Sequence, residues 1–115
     1  MGRPPSLQCR LRAGVLAAHD TLMLQMGPVY RERTRLRALL TPITTDARRQ
    51  EINDCLAALQ AADDAMMDWM HTYHEPDTLQ VPQQAQTAFW YQQRARLHDV
   101  DSAFFRALNR ARAVR

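Results

Sequence analysis

No stretch of about 18 apolar residues occurs in this 115-residue sequence, so it holds no candidate membrane-spanning helix. Glycine is scarce, with three residues, and none lies in a phosphate-cradling loop or a Gly-x-Ser-x-Gly turn; the expectation is a protein that is not an enzyme. Only two cysteines are present, Cys9 and Cys55, in different segments, and their spacing supports neither a zinc site nor a disulfide framework. Cys55 reads as a small buried apolar residue. Lysine is missing altogether: all fifteen basic residues are arginine, a usage that fits a GC-rich coding bias as well as any physical demand. The first nine residues contain no apolar run that reads as a secretory signal, although Cys9 stands where a lipoprotein cysteine would if such a segment came before it.

What is present is helix-forming and globular. The chain is 46% hydrophobic and 23% charged, dominated by alanine, leucine, glutamine and arginine, and of a length that suits one core. Val15, Leu22, Val29 and Leu36 recur every seven residues, each followed four residues later by His19, Met26, Arg33 and Leu40. This predicts a helix over about 10–40 with one packed face, kinked rather than broken at Gly27-Pro28. Thr41-Pro42-Ile43-Thr44 ends it. A second helix is expected over 46–74, capped at Thr45 or Asp46, with Ile52, Leu59, Met66 and Tyr73 on its seam and Leu56, Asp63 and Met70 interleaved. Glu75-Pro76-Asp77 stops it. Pro82 suits the first turn of a third helix over 82–113, marked by Trp90, Leu97, Phe104 and Ala111 with Val100, Ala107 and Val114. Short connections make neighbouring helices antiparallel, so the expected fold is all-α, one domain over 1–115, an up-down-up three-helix bundle with a flexible segment at 1–9. Phe89, Trp90, Phe104 and Phe105 are expected to be buried in the groove of the first two helices.

On that bundle the charges separate. One pole collects Arg31, Arg33, Arg35, Arg37, Arg48, Arg49, Arg106, Arg110, Arg112 and Arg115 against Glu32, Asp46, Glu51 and Asp54, while Asp20, Asp63, Asp64, Asp68, Glu75 and Asp77 lie toward the other, behind a net charge of only +3. Arginines at helix ends complement dipoles and pair with nearby acids. No nucleic-acid motif or exposed aromatic interleaving accompanies them, so nucleic acid is not the expected partner.

Soft donors concentrate on the first two helices. His19, Met23, Met26 and Tyr30 form one stripe, and Met66, Met67, Met70, His71 and His74 fall within three turns. If the hairpin turns at 42–44, facing residue numbers sum to roughly 88. His19 is then level with Met70 and Leu22 with Met66, so one layer could gather His19, Met23, Met26, Met66 and Met70. Thioether and imidazole ligands select Cu(I) over harder divalent ions. The same methionines can equally be flexible core filler. Asp63 is a candidate hydrogen-bond partner for His19, and His71 and His74 suit a solvated helix C-terminus. Asp68 and His71 suggest half of a carboxylate-bridged di-metal site, but the acidic residues such a site needs on other helices are missing.

The stretch His19-Asp20-Thr21-Leu22-Met23-Leu24-Gln25-Met26-Gly27, with Ala65-Met66-Met67-Asp68-Trp69-Met70, resembles small Bacteroidetes helical proteins often labelled "viral A-type inclusion protein". The resemblance spans roughly 15–76. It implies an exported, lipid-anchored protein with His19, Met23, Met26, Met66, Met67, Trp69 and Met70 at its motif positions; as written, without a signal, the chain would instead be cytoplasmic. Two functions are therefore expected in parallel. One is a non-enzymatic bundle binding Cu(I) through His19 and the methionines, with Asp63, Met67, Trp69 and His71 flanking. The other is a structural or interaction module whose Met-rich groove accepts a partner helix or a second copy.

Overall fold

Two hydroxyls set the starts of two helices. Ser6 accepts a hydrogen bond from the Cys9 N–H, and Thr45 accepts one from the Arg48 N–H, each satisfying an amide that the first turn leaves without a partner. In the computed structural model, which describes Gly2 and residues 4–115, the helices are α1 (Leu7–Met23), α2 (Met26–Leu39), α3 (Asp46–Thr72) and α4 (Gln83–Arg112). The fold is all-helical. Of the 1–9 segment expected to be flexible, Met1 and Arg3 lie outside the described residues, and Leu7 to Cys9 already belong to α1.

The interruption in the first arm falls at Leu24-Gln25, one turn before Gly27-Pro28. Both residues keep helical dihedrals, with ψ of −19° and −13°. The Leu24 and Gln25 amides bond the Thr21 and Leu22 carbonyls at 3.2 and 2.9 Å, a tightened three-residue pattern. Pro28 has no N–H to offer the Leu24 carbonyl, and the four-residue pattern resumes with Val29 N–H to Gln25 O. Beyond α2, Thr44 ties off the turn: its hydroxyl accepts from the Thr41 N–H at 2.8 Å and donates to the Leu39 carbonyl at 3.1 Å. Pro82 sits one residue outside α4, at its N-cap.

The seven-residue series of the sequence line the core. Val15, Leu22, Val29 and Leu36, then Ile52, Leu59 and Met66, then Trp90, Leu97, Phe104 and Ala111 are all buried. Two expectations need correction. In α3 the buried partners of the main series are Cys55, Ala62 and Trp69, three residues on, rather than Leu56, Asp63 and Met70, four residues on. The reason is that α4 packs on the +3 side of α3, where Cys55 meets Arg110 and Trp69 meets Gln93. Phe105 is 67% exposed, because the neighbouring Phe104 takes the inward direction.

Contacts record the order of the helices. Cys55 meets Arg110, Trp69 meets Gln93 and Thr72 meets Arg96, so rising numbers in α3 oppose falling numbers in α4. Arg33 meets Gln60, and Arg49 meets Thr41 just past α2, in the same opposed sense, whereas Gln8 with Thr87 and Arg35 with Ala111 keep a nearly constant offset of 79 and 76 residues. α4 touches the other three helices; α2 packs on both α3 and α4, while α1 lies along α4. The result is long and flat, 65 × 29 × 16 Å, with a radius of gyration of 18.9 Å. A compact chain of this length would have a radius of about 13 Å.

Arg35 closes the far end of the core. Its guanidinium donates to the Ala111 and Val114 carbonyls at 2.7 and 2.8 Å and to Glu32 at 2.7 and 2.9 Å, so one fork caps α4 and pairs with an acid one turn back. Because the group is partly solvated, Arg35→Ala should lower stability by about 1–2 kcal/mol. Arg35→Lys should recover only part of that, since an ammonium cannot reproduce the fork. Urea unfolding of the three proteins checks both values.

Candidate functional site

His19 projects from α1 one turn before its end and is about a quarter exposed. Its Nδ1 lies 3.0 Å from the Asp20 carboxylate. A carboxylate oxygen accepts, so Nδ1 carries the proton, and in the neutral ring Nε2 keeps its lone pair. This corrects the expected partner, Asp63, which is half-buried on α3 and makes no hydrogen bond to His19. The imidazole stands 5.8 Å from the Trp69 ring, centroid to centroid, tilted by 33°.

Trp69 is the fixed surface of the site. It is buried, and its indole N–H donates to Gln93 Oε1 at 2.8 Å in the α3/α4 interface, which leaves the ring little freedom. From it a line of aromatic rings continues to Tyr73 at 4.9 Å, Phe89 at 6.1 Å and Trp90, edge-on, at 4.9 Å. Leu16, His19, Trp69, Met70 and Tyr73 together line a shallow pocket of about 220 Å³. His19 and Met70 thus share one concavity.

The remaining sulfurs are divided between core and surface. Met66 is fully buried among apolar side chains, and Met26 is half-buried against the same core. Met23 and Met67 are exposed at 38% and 42%. Residue level and helix rotation are separate quantities, and Met66 and Met70, four residues apart, differ by about 40° around the axis. That rotation is enough to send one inward and the other to the rim. His71 donates from Nδ1 to the Met67 carbonyl at 2.8 Å and, like His74, lies exposed at the end of α3.

Tyr73 and Trp90 each bury a polar atom, the phenol oxygen and the indole nitrogen, with no hydrogen-bond partner. Burial, followed by the nearby Glu75 carboxylate, pushes the Tyr73 phenol up from its usual range, with Arg12 pulling the other way. Burial likewise pushes the Cys55 thiol up, and its Sγ points to the Arg110 carbonyl at 3.8 Å, so the thiol stays protonated. Among the described residues no three His, Cys, Asp or Glu side chains gather in a metal-holding group; thioethers stand outside that set.

Sequence patterning passed over Leu16, Tyr73 as a pocket wall, Asp20 as the histidine's partner, and Gln93. A signal for the last existed: Gln86 and Gln93 fall on the apolar series of α4, seven residues apart, and a polar side chain there demands an internal partner. Comparison with known proteins found no similarity to argue from, since no family model, curated protein or solved structure matches the chain.

Two outcomes follow from burial. Met66→Ala should cost about 2–5 kcal/mol and Met70→Ala less than about 1 kcal/mol, by urea unfolding, because only the first opens a core cavity. Tyr73→Phe removes a hydroxyl that has no partner, so stability at pH 7 should hold or rise. With the folded phenol raised, the unfolded chain loses its proton first, so wild-type stability should fall as pH climbs past 10. Tyr73→Phe should flatten that fall in a pH series of urea midpoints.

Proposed function

We propose that this chain is a non-enzymatic helical protein that binds Cu(I) at the rim between α1 and α3, through His19 Nε2 and the Met70 thioether above the Trp69 ring. The observation that carries this is the shared pocket, which His19 and Met70 both line while His19 holds its Nδ1 proton against Asp20. A carboxylate that fixes the far nitrogen of a ligating histidine sets its tautomer and ring orientation. Imidazole with thioether is a donor pair soft enough for Cu(I). The Trp69 face adds attraction for a cation held beside it. Met23 and Met67, exposed on either side, are available as a third donor, whereas Met66 and Met26 serve packing.

The architecture in this proposal is the up-down-up bundle, with α1 and α2 as one arm bent by Pro28. It is supported by the opposed numbering of α3 against both neighbours and by the constant offset between the first arm and α4. The motif resemblance belongs to the same proposal: it would make Cys9, exposed at the start of α1, the lipid anchor of an envelope protein.

A second reading is favoured by one observation. Met23, Met67 and Met70 are all exposed, and an open methionine surface suits an apolar partner helix.

Anaerobic titration against a chromophoric Cu(I) chelator distinguishes the two. Wild type should take one equivalent, with loss of tryptophan emission. His19→Ala and Met70→Leu should each weaken binding at least about tenfold, and Asp20→Asn by about tenfold, while Met66→Leu should not change it. If wild type fails to compete, the copper proposal is discarded. A stable complex in pull-down that Met67→Glu abolishes would establish the partner reading instead.

A further inference from the structure

The face formed by α3 and α4 on the side away from His19 carries a regular arrangement that the copper site leaves unused. Between the two helices runs a groove of about 400 Å³, floored by Ala58, Ala61, Ala103 and Ala107 and edged by Arg106 and Arg110. Along α3 the rim reads Asp54, Ala61, Asp68, every seven residues; along α4 it reads Arg96, Ala103, Arg110, again every seven. Because α3 and α4 pair in opposed order, Asp54 lies level with Arg110, Ala61 with Ala103 and Asp68 with Arg96. The lower pair is visible as an ion pair at 3.8 Å with both side chains about half exposed, and at the upper end Arg96 donates to Thr72. One rim is acidic, the other basic, and the middle is alanine. Glu51 and Arg106 extend the two signs, and Asp99 alone departs from them.

We propose that this face seats a second copy of the chain, related by a two-fold axis that runs along the groove. That axis lays α3 of each copy on α4 of the other. The acidic rim then meets the basic rim on both sides, Asp54 against the partner's Arg110 and Asp68 against the partner's Arg96. Alanine meets alanine between them, where the small side chains let backbones approach closely. The arrangement is self-complementary, as an isologous contact requires.

The size of the molecule fits. Two helices side by side over about 40 Å present on the order of 800 Å² per copy, the area of a standard interface. The single chain exposes 7939 Å², whereas a compact monomer of its mass would expose about a fifth less. Pairing on this face removes about half of that excess from water and turns a flat layer of helices into a thicker bundle. His19 and Met70 stay open, so the dimer does not depend on the copper proposal.

Sedimentation equilibrium on the full chain, with no metal added, provides the test. The expected mass is twice 13.3 kDa at low salt, with dissociation promoted by high salt. Ala61 is exposed in the single chain, so Ala61→Arg should keep its helical circular dichroism while sedimenting as a monomer. Asp54→Arg and Arg110→Asp should each be monomeric alone and form a mixed dimer when combined, since the mixture restores both contacts of opposite sign. A wild type that stays at 13.3 kDa up to about 1 mM overturns the proposal. So does an Ala61→Arg protein that still dimerises, or a pair of charge variants that fail to associate on mixing.

Discussion

The hydrogen bond from the Trp69 indole to Gln93 is the contact on which the rest of this molecule depends. It is buried, it joins α3 to α4, and it would leave a stranded polar group on either side if the two helices slipped by a residue. Apolar side chains alone tolerate sliding, because one leucine fits a groove much as another does. A donor and acceptor in the interior do not. With this register fixed, Trp69 becomes a rigid platform, and the pocket above it takes its shape from which side chains of α1 and α3 reach over its edge.

That platform explains why the two ends of the bundle differ. Around α2 the helices close into a triangle, with Leu36, Ile52 and Ala111 buried together at the end capped by Arg35. Around α1 the first arm leans on α4, and the space toward α3 is filled by rings and thioethers instead of close backbone contact. Large, polarizable side chains suit such a gap because they span more distance than leucine and tolerate a partly wet surface. The soft donors and the aromatic line are therefore found where the packing is widest. The closed end is occupied by structural arginines. Arg35, Arg48 and Arg49 all spend hydrogen bonds on backbone carbonyls of the chain's own turns and ends. The basic pole thus has a large internal use.

Helix content, three of the heptad series and the Thr45 cap were readable in the sequence because each depends on local rules: side-chain period, hydroxyl capping and the absence of helix breakers. The level of His19 with Met70 also followed from rise per residue and the position of the hairpin turn. Rotation did not follow. Whether the +3 or the +4 neighbour of Leu59 turns inward depends on which side α4 approaches, and no local signal in α3 encodes that. This one choice put Ala62 and Trp69 inside, left Asp63 and Met70 at the rim, and separated Met66 from the donors it resembles in sequence.

The pairing of His19 with Asp20 shows the same division at closer range. Adjacent residues on a helix point about 100° apart, so pattern reasoning looked for a partner across the interface and named Asp63. Both side chains here lie at the edge of the bundle, where the carboxylate can reach back through solvent to the imidazole. Residue order alone settled that this chain is helical and which seven-residue apolar series line its core, because those properties depend on side-chain period within a few turns of backbone. Which thioethers sit beside the histidine, which ring lies under them, and which charged edges face each other across α3 and α4 came only with the packed helices, because they depend on contacts between residues twenty to eighty positions apart.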